Sequence, residues 1–183
     1  VKAIGLVETA SIARGVKCLD EMVKRAPVTV LQARPVCPGR YIVLIEGEVG
    51  PVEESFAVGC ELARREDGLV DSLILPNPHP ALPTVLRSSA KAEAFSPVGV
   101  IETTAIASAL LAADAGCKAA PVELILVRLA VGMGGKSFVI FSGALPDVEA
   151  AIAAGAAIAA EHKRLVETVI LANPDPVIEP FLV

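Results

Sequence analysis

A chain of 183 residues with 54% apolar and 20% charged side chains can bury a core, and it is neither disordered nor low in complexity. A formal charge of −5 leaves no basic footprint and 3% aromatic residues leave few stacking platforms, which argues against nucleic acid as a partner. Mean hydropathy is high at +0.63, yet Lys, Arg, Asp or Glu breaks every apolar stretch well short of the roughly 20 residues a membrane span needs. The excess of Ala, Val, Ile and Leu suits close packing and burial between subunits instead. No secretory n-region and h-region pattern opens the sequence. Cys18, Cys37, Cys60 and Cys117 show no CxxC and no disulfide framework spacing, as expected in a reducing cytoplasm.

In chain order, Ala3 to Glu8 reads as a short strand. Ser11 is a helix N-cap, and Ile12, Val16, Leu19 and Val23 form the apolar stripe of the helix that follows, which Pro27 ends. Val28 to Ala33 and Tyr41 to Ile45 are strands around a Pro38-Gly39 turn. Pro51 suits the first turn of a second helix running to about Arg65. Leu69 to Leu75 is a closing strand, stopped by Pro76, Pro78 and Pro80. Residues 80–96 read as the tail of this unit and then a linker.

The whole order then recurs. Ile4-Gly5-Leu6-Val7-Glu8-Thr9 returns 94 residues later as Val98-Gly99-Val100-Ile101-Glu102-Thr103. Asp20 and Lys24 return as Asp114 and Lys118, and Ala26-Pro27-Val28 as Ala120-Pro121-Val122. Beyond Arg34 and Arg128 the offset becomes 96: Gly39-Arg40 pairs with Gly135-Lys136, Val52-Glu53 with Val148-Glu149, and Asn77-Pro78 with Asn173-Pro174. The second copy therefore gains two residues around Gly132 to Gly135, and carries an Ala-rich helix from about Pro146 to His162. Strand, helix, hairpin, helix, strand is an α+β, ferredoxin-like order. The expected division is a first domain over 1–90, a linker over 91–96 and a second domain over 97–183.

The opening AIGLVET, the helix end DEMVKRAPV, the hairpin, the helix start GEVGPVEESFAVG and the closing LPNPHP together resemble the bacterial microcompartment shell domain, twice over and in its unpermuted form. The resemblance spans almost the whole chain. It implies a structural protein rather than an enzyme, located in a cytoplasmic microcompartment shell. It further implies a pseudohexameric homotrimer that tiles with other shell proteins. By the same resemblance Lys24 and Lys118, at the ends of matching helices, lie at the tile edge. So do Asn77 and Asn173, where the family often has Arg. His79, with Asp175 as its counterpart, is expected to be an ordinary surface histidine.

The family's hairpin turn faces a central pore, which assigns Pro38, Gly39, Gly132, Met133, Gly134 and Gly135 to the pore. Cys37 precedes Pro38 in that turn, and the second copy has no cysteine there. A trimer would bring three thiols to one axis, matching the three-fold axis of a [4Fe–4S] cubane, and Cys-Pro recurs at ferredoxin ligands. The chain is similar to tandem shell proteins of the propanediol-utilising type, in which a pore cysteine in such a turn holds that cluster. The resemblance thus implies one cluster per trimer, serving electron transfer or cluster delivery, with encapsulated redox enzymes as partners. A lone cysteine reads equally as a small buried hydrophobe, and zinc suits the site less because structural zinc takes four ligands. Cys18, Cys60 and Cys117 fall in helix patterns and read as packing.

Gly132-Met133-Gly134-Gly135-Lys136 lacks P-loop spacing and lies between strands, so it is no phosphate cradle. Arg40 and Lys136 read either as pore charges or as ordinary strand-start residues. Glu8 and Glu102 end matching strands, where a structural hydrogen bond is expected, and no nucleophile accompanies His79 or His162. A ligand-binding regulatory protein is the alternative, since doubled ferredoxin-like units also sense small molecules.

Overall fold

A computed structural model of the chain describes residues 2–88 and 97–182, apart from the side chain of Glu66. The linker expected over 91–96 lies outside the described residues. The structure divides into two units, the first ending at Pro78 and the second beginning at His79. The short helix over 81–87, read in the sequence as part of the first copy's tail, falls in the second unit.

In the first unit β1 (Lys2–Thr9), β2 (Thr29–Val36), β3 (Arg40–Glu48) and β4 (Leu69–Pro76) form one antiparallel sheet in the order β2-β3-β1-β4. Helices α1 (Ile12–Arg25) and α2 (Val49–Arg64) cover one face. The second unit begins with α3 (Ala81–Arg87). Its own sheet joins β5 (Val98–Thr103), β6 (Glu123–Leu129), β7 (Ser137–Ser142) and β8 (Leu165–Leu171) in the order β6-β7-β5-β8. Helices α4 (Ile106–Ala119) and α5 (Leu145–Glu161) follow the same plan, and α6 (Glu179–Leu182) comes last. Even the irregularities repeat. The β2–β3 register skips Leu31 and the β6–β7 register skips Ile125; β1–β4 skips Val70 and β5–β8 skips Val166. Such bulges re-aim a strand, so their recurrence preserves the same local twist in both sheets.

Ser11 caps α1 by accepting the N–H of Arg14, and Lys24 and Arg25 sit in its last turn, where the helix dipole favours cations. The stripe expected from the sequence is not the face α1 buries. Gly15, Cys18 and Met22 turn to the core, while Ile12, Val16 and Val23 are exposed. The small residues win because α1 lies hard against its neighbours: a Cβ on Gly15 would meet Tyr41 at 2.5 Å, and one on Gly59 of α2 would meet Met22 at 2.5 Å. The second unit differs on this helix. The counterparts Ile106, Leu110 and Cys117 are all buried, and α3 packs on α4 and β6 with Leu82, Val85 and Leu86 inward. Full burial of such side chains contributes about 1.5–3 kcal/mol each. It offsets the missing N-cap of α4, where Ala105 replaces Ser11.

Helices α4 and α5 approach through backbone rather than side chains. A Cβ on Gly155 would lie 2.7 Å from the carbonyl oxygen of Ala112 and 2.6 Å from Ile101 Cδ1. Gly155→Ala is expected to destabilise the chain by about 1–3 kcal/mol, because a helix carbonyl cannot move aside. Gly59→Ala meets mainly the flexible thioether of Met22 and should cost less. Chemical denaturation of the two variants checks the order.

Candidate functional site

The β2–β3 turn is three residues, Cys37, Pro38 and Gly39, between the paired ends Val36 and Arg40. The Cys37–Pro38 peptide is cis, and Gly39 adopts φ +74°, a conformation glycine accepts without cost. A Cβ at Gly39 would meet no atom within 4 Å, so the turn projects into open space. Val36 is buried, Cys37 is half-buried, and Pro38 and Gly39 are exposed.

The matching β6–β7 connection runs over residues 130–136 and is built differently. Gly132, Gly134 and Gly135 have φ of +72°, +60° and +95°, and Ala130, at +47°, accepts a conformation that disfavours a side chain. Met133 is half-buried, and its carbonyl accepts the N–H of Lys136 at 3.1 Å.

Both turns are tied to the central strand beside them. Arg40 Nη1 donates to Glu8 Oε1 at 3.0 Å, and Lys136 Nζ donates to Glu102 Oε1 at 2.9 Å. Thr9 and Thr103 add a matching pair of bonds, each hydroxyl donating to the carbonyl two residues on at 2.9 Å. The carboxylates thus make structural bonds of the kind the sequence suggested, but with the strand-start cations as partners. That pairing was visible only as a conserved charge type, Arg40 beside Lys136 and Glu8 beside Glu102. Glu8 is 3% exposed, and burial pushes its carboxyl above the ordinary value, with Arg40 pulling back and Asp71 adding to the rise.

The other thiols lie elsewhere. Cys18 and Cys60 are buried between α1 and α2, and Cys117 is buried on α4. Burial raises all three, Cys117 to about 12 with Asp114 contributing, so they stay protonated at neutral pH. Among the described residues no group of three or more His, Cys, Asp or Glu side chains could hold a metal ion within one chain. The residues assigned to edges are found at helix and strand ends. Lys24 pairs with Asp20 and Lys118 with Asp114, and Asn77 and Asn173 are exposed just past β4 and β8. Asn77 adopts φ +49°, which Asn tolerates better than most residues, and its N–H donates to Lys2. His79 is more than a surface residue: its N–H donates to Asp114 Oδ1 at 2.7 Å, and its Nδ1 accepts the N–H of Ala81, so it seats the start of α3.

A model of the BMC domain matches residues 3–78 and again 97–174. The chain belongs to the bacterial microcompartment shell family. The shell protein PduT of Citrobacter freundii is 36% identical over 173 residues, 94% of this chain and 93% of that protein. The carboxysome shell protein CcmK2 of Thermosynechococcus vestitus is 35% identical over 86 residues, 46% of this chain and 84% of that protein. A crystal structure of a microcompartment protein from Desulfitobacterium hafniense superposes with a TM-score of 0.93 at 41% identity, covering 98% of this chain and 99% of that one. This BMC chain is accordingly a structural shell protein of a cytoplasmic bacterial microcompartment and not an enzyme. Among the described residues no helix is long and apolar enough to cross a membrane.

Among the described residues, Arg40 is the cation paired with the buried Glu8 carboxylate. Arg40→Ala should destabilise the first unit by about 1–3 kcal/mol at neutral pH, and Glu8→Gln added to it should recover most of that loss. Because the folded carboxyl titrates above its unfolded value, its contribution favours folding at acid pH and is lost as the pH rises through the folded value. The Arg40→Ala deficit should therefore shrink below the ordinary carboxylate range. Denaturation midpoints measured across pH test this.

Proposed function

We propose that three copies of this chain form one shell tile whose central pore is lined by the Cys37–Gly39 turns and the 132–135 loops, and that the three Cys37 thiolates hold a [4Fe–4S] cluster. The donor set supports a site shared between chains. One half-buried thiol stands on an open turn, the other three are buried and protonated, and the 130–136 loop contributes no cysteine. One chain thus offers a single thiolate, and three chains about an axis offer three, which suits three irons of a cubane. When bound, such a cluster supplies a one-electron relay at the pore, serving encapsulated redox enzymes, or a store for delivery. The chain's own part is positional. Val36 and the Glu8–Arg40 pair fix both flanks of the turn, and Gly39 takes the positive φ of +74° at which the chain reverses.

The observation that carries the reading is Cys37 itself, the one thiol outside the helical core and present once per two-domain chain. Anaerobic purification followed by iron and sulphide analysis tests it. Wild-type protein should be brown and carry about four irons per three chains; Cys37→Ser should lose iron and sulphide and still assemble. Iron at the wild-type level in Cys37→Ser overturns the cluster, and a wild-type chain that stays monomeric at high concentration overturns the tile.

A further inference from the structure

The chain carries two copies of a docking segment and two copies of the helix face that receives it, and among the described residues one pair is joined, α3 on α4. After β4, Asn77-Pro78-His79-Pro80 leads into α3, whose Leu82, Val85 and Leu86 bury against α4 and β6. After β8, Asn173-Pro174-Asp175-Pro176 leads into Ile178, Phe181 and Leu182, at the same spacing. The local turn is the same. Asp175 Oδ1 accepts the N–H of Val177 at 2.9 Å, as His79 Nδ1 accepts that of Ala81 at 3.3 Å. The outcome is opposite. Val85 is 7% exposed, and its counterpart Phe181 is 83% exposed.

The receiving faces show the complementary difference. On α4, Ile106, Leu110, Ala113 and Cys117 are buried, and α3 packs on the same helix. On α1 the same positions are Ile12, Val16, Leu19 and Val23, and Val16 is 51% exposed where Leu110 is 0%. Charge follows suit. Helix α1 carries four cations against two carboxylates, and residues 173–182 carry two carboxylates and no cation. In the joined pair, α4 carries one Asp and one Lys, and residues 77–86 carry no Lys, Arg, Asp or Glu.

We propose that residues 174–182 of one chain dock on the Ile12–Val16–Val23 face of α1 in a second copy of this chain, as α3 docks on α4. This deepens the tile reading, on which it rests for its partner. A face and a segment that do not match themselves form a head-to-tail contact, which closes a ring when the rotation permits. Leu182 already leans on the apolar cluster of Val98, Leu126 and Ile140, which anchors the segment and leaves Phe181 free to enter the neighbour. In the docked state the N–H of Asp175 would donate to the partner's helix carboxylate, as the N–H of His79 does to Asp114 at 2.7 Å. Lys118 keeps 42% side-chain exposure beside α3, so docking leaves the equivalent edge lysine an outlet.

The test uses the full chain in a Cys37→Ser background, where the remaining native thiols are buried. Val16→Cys and Phe181→Cys are made singly and together, treated with a short bis-maleimide and run on a denaturing gel, beside light scattering of the untreated protein. The double variant should give covalent dimers and trimers, and each single variant monomers. Phe181→Asp should weaken self-association at least about tenfold without changing the circular dichroism, since Phe181 touches little in its own chain. A double variant that scatters light as a trimer yet stays monomeric on the gel overturns the docking and leaves the tile standing. A monomer by light scattering, with no cross-link, overturns both.

Discussion

The turn that bears Cys37 is held by an ion pair whose carboxylate is buried and whose cation is part-exposed. Arg40 begins β3 directly after the turn, and its guanidinium reaches the Glu8 carboxylate on the central strand. A carboxylate with 3% exposure is costly without a partner, so its energy falls sharply when the cation is in place. The cation in turn fixes where β3 starts. On the other flank Val36 is buried, leaving three residues to reverse the chain. The position of the thiol is thus set by groups that are not themselves part of any metal site.

The second unit repeats that anchor with Lys136 and Glu102 but relaxes what lies between. A loop four residues longer with three left-handed glycines replaces the tight turn. Anchors and bulges recur because they position the sheets. Turns and helix faces diverge because their surroundings differ. The α1 and α4 helices make the same point: one keeps a capped, charged surface, and the other is sheathed by α3 and has lost its cap to an alanine.

Much of this was legible in the sequence. Both copies, every strand and the main helices follow from the repeat and from Pro and Gly punctuation, because those signals are local. The buried face of α1 was not. Periodicity marks an apolar stripe wherever it faces, and Ile12, Val16 and Val23 outweigh Gly15, Cys18 and Met22 in any hydropathy reading. What decides between them is helix spacing, since Met22 fills the room left by Gly59 from a helix more than thirty residues away. The role of His79 was hidden for a similar reason. Its partner Asp114 belongs to the repeated Asp-Lys pair, and its carboxylate accepts a bond from the chain entering α3. At the candidate site, sequence singled out Cys37 and both turns, and the cations that hold those turns were seen only as pore charges or strand-start residues.

Duplication has a consequence that a single-domain tile could not have. With one domain per chain and six chains about an axis, any pore thiol appears six times. Two domains in one chain allow one turn to keep a cysteine and the other to lose it, so three chains present three thiols. The same divergence acts at the helices. A single-domain chain must use one α1 face for every contact around a ring. Here α4 could trade capping and surface charge for a cover by α3, while α1 kept four cations and an exposed Ile12–Val16–Val23 stripe. The chemistry proposed for the pore and the contact proposed between chains thus have one origin: two copies of a domain free to differ because they no longer share a sequence.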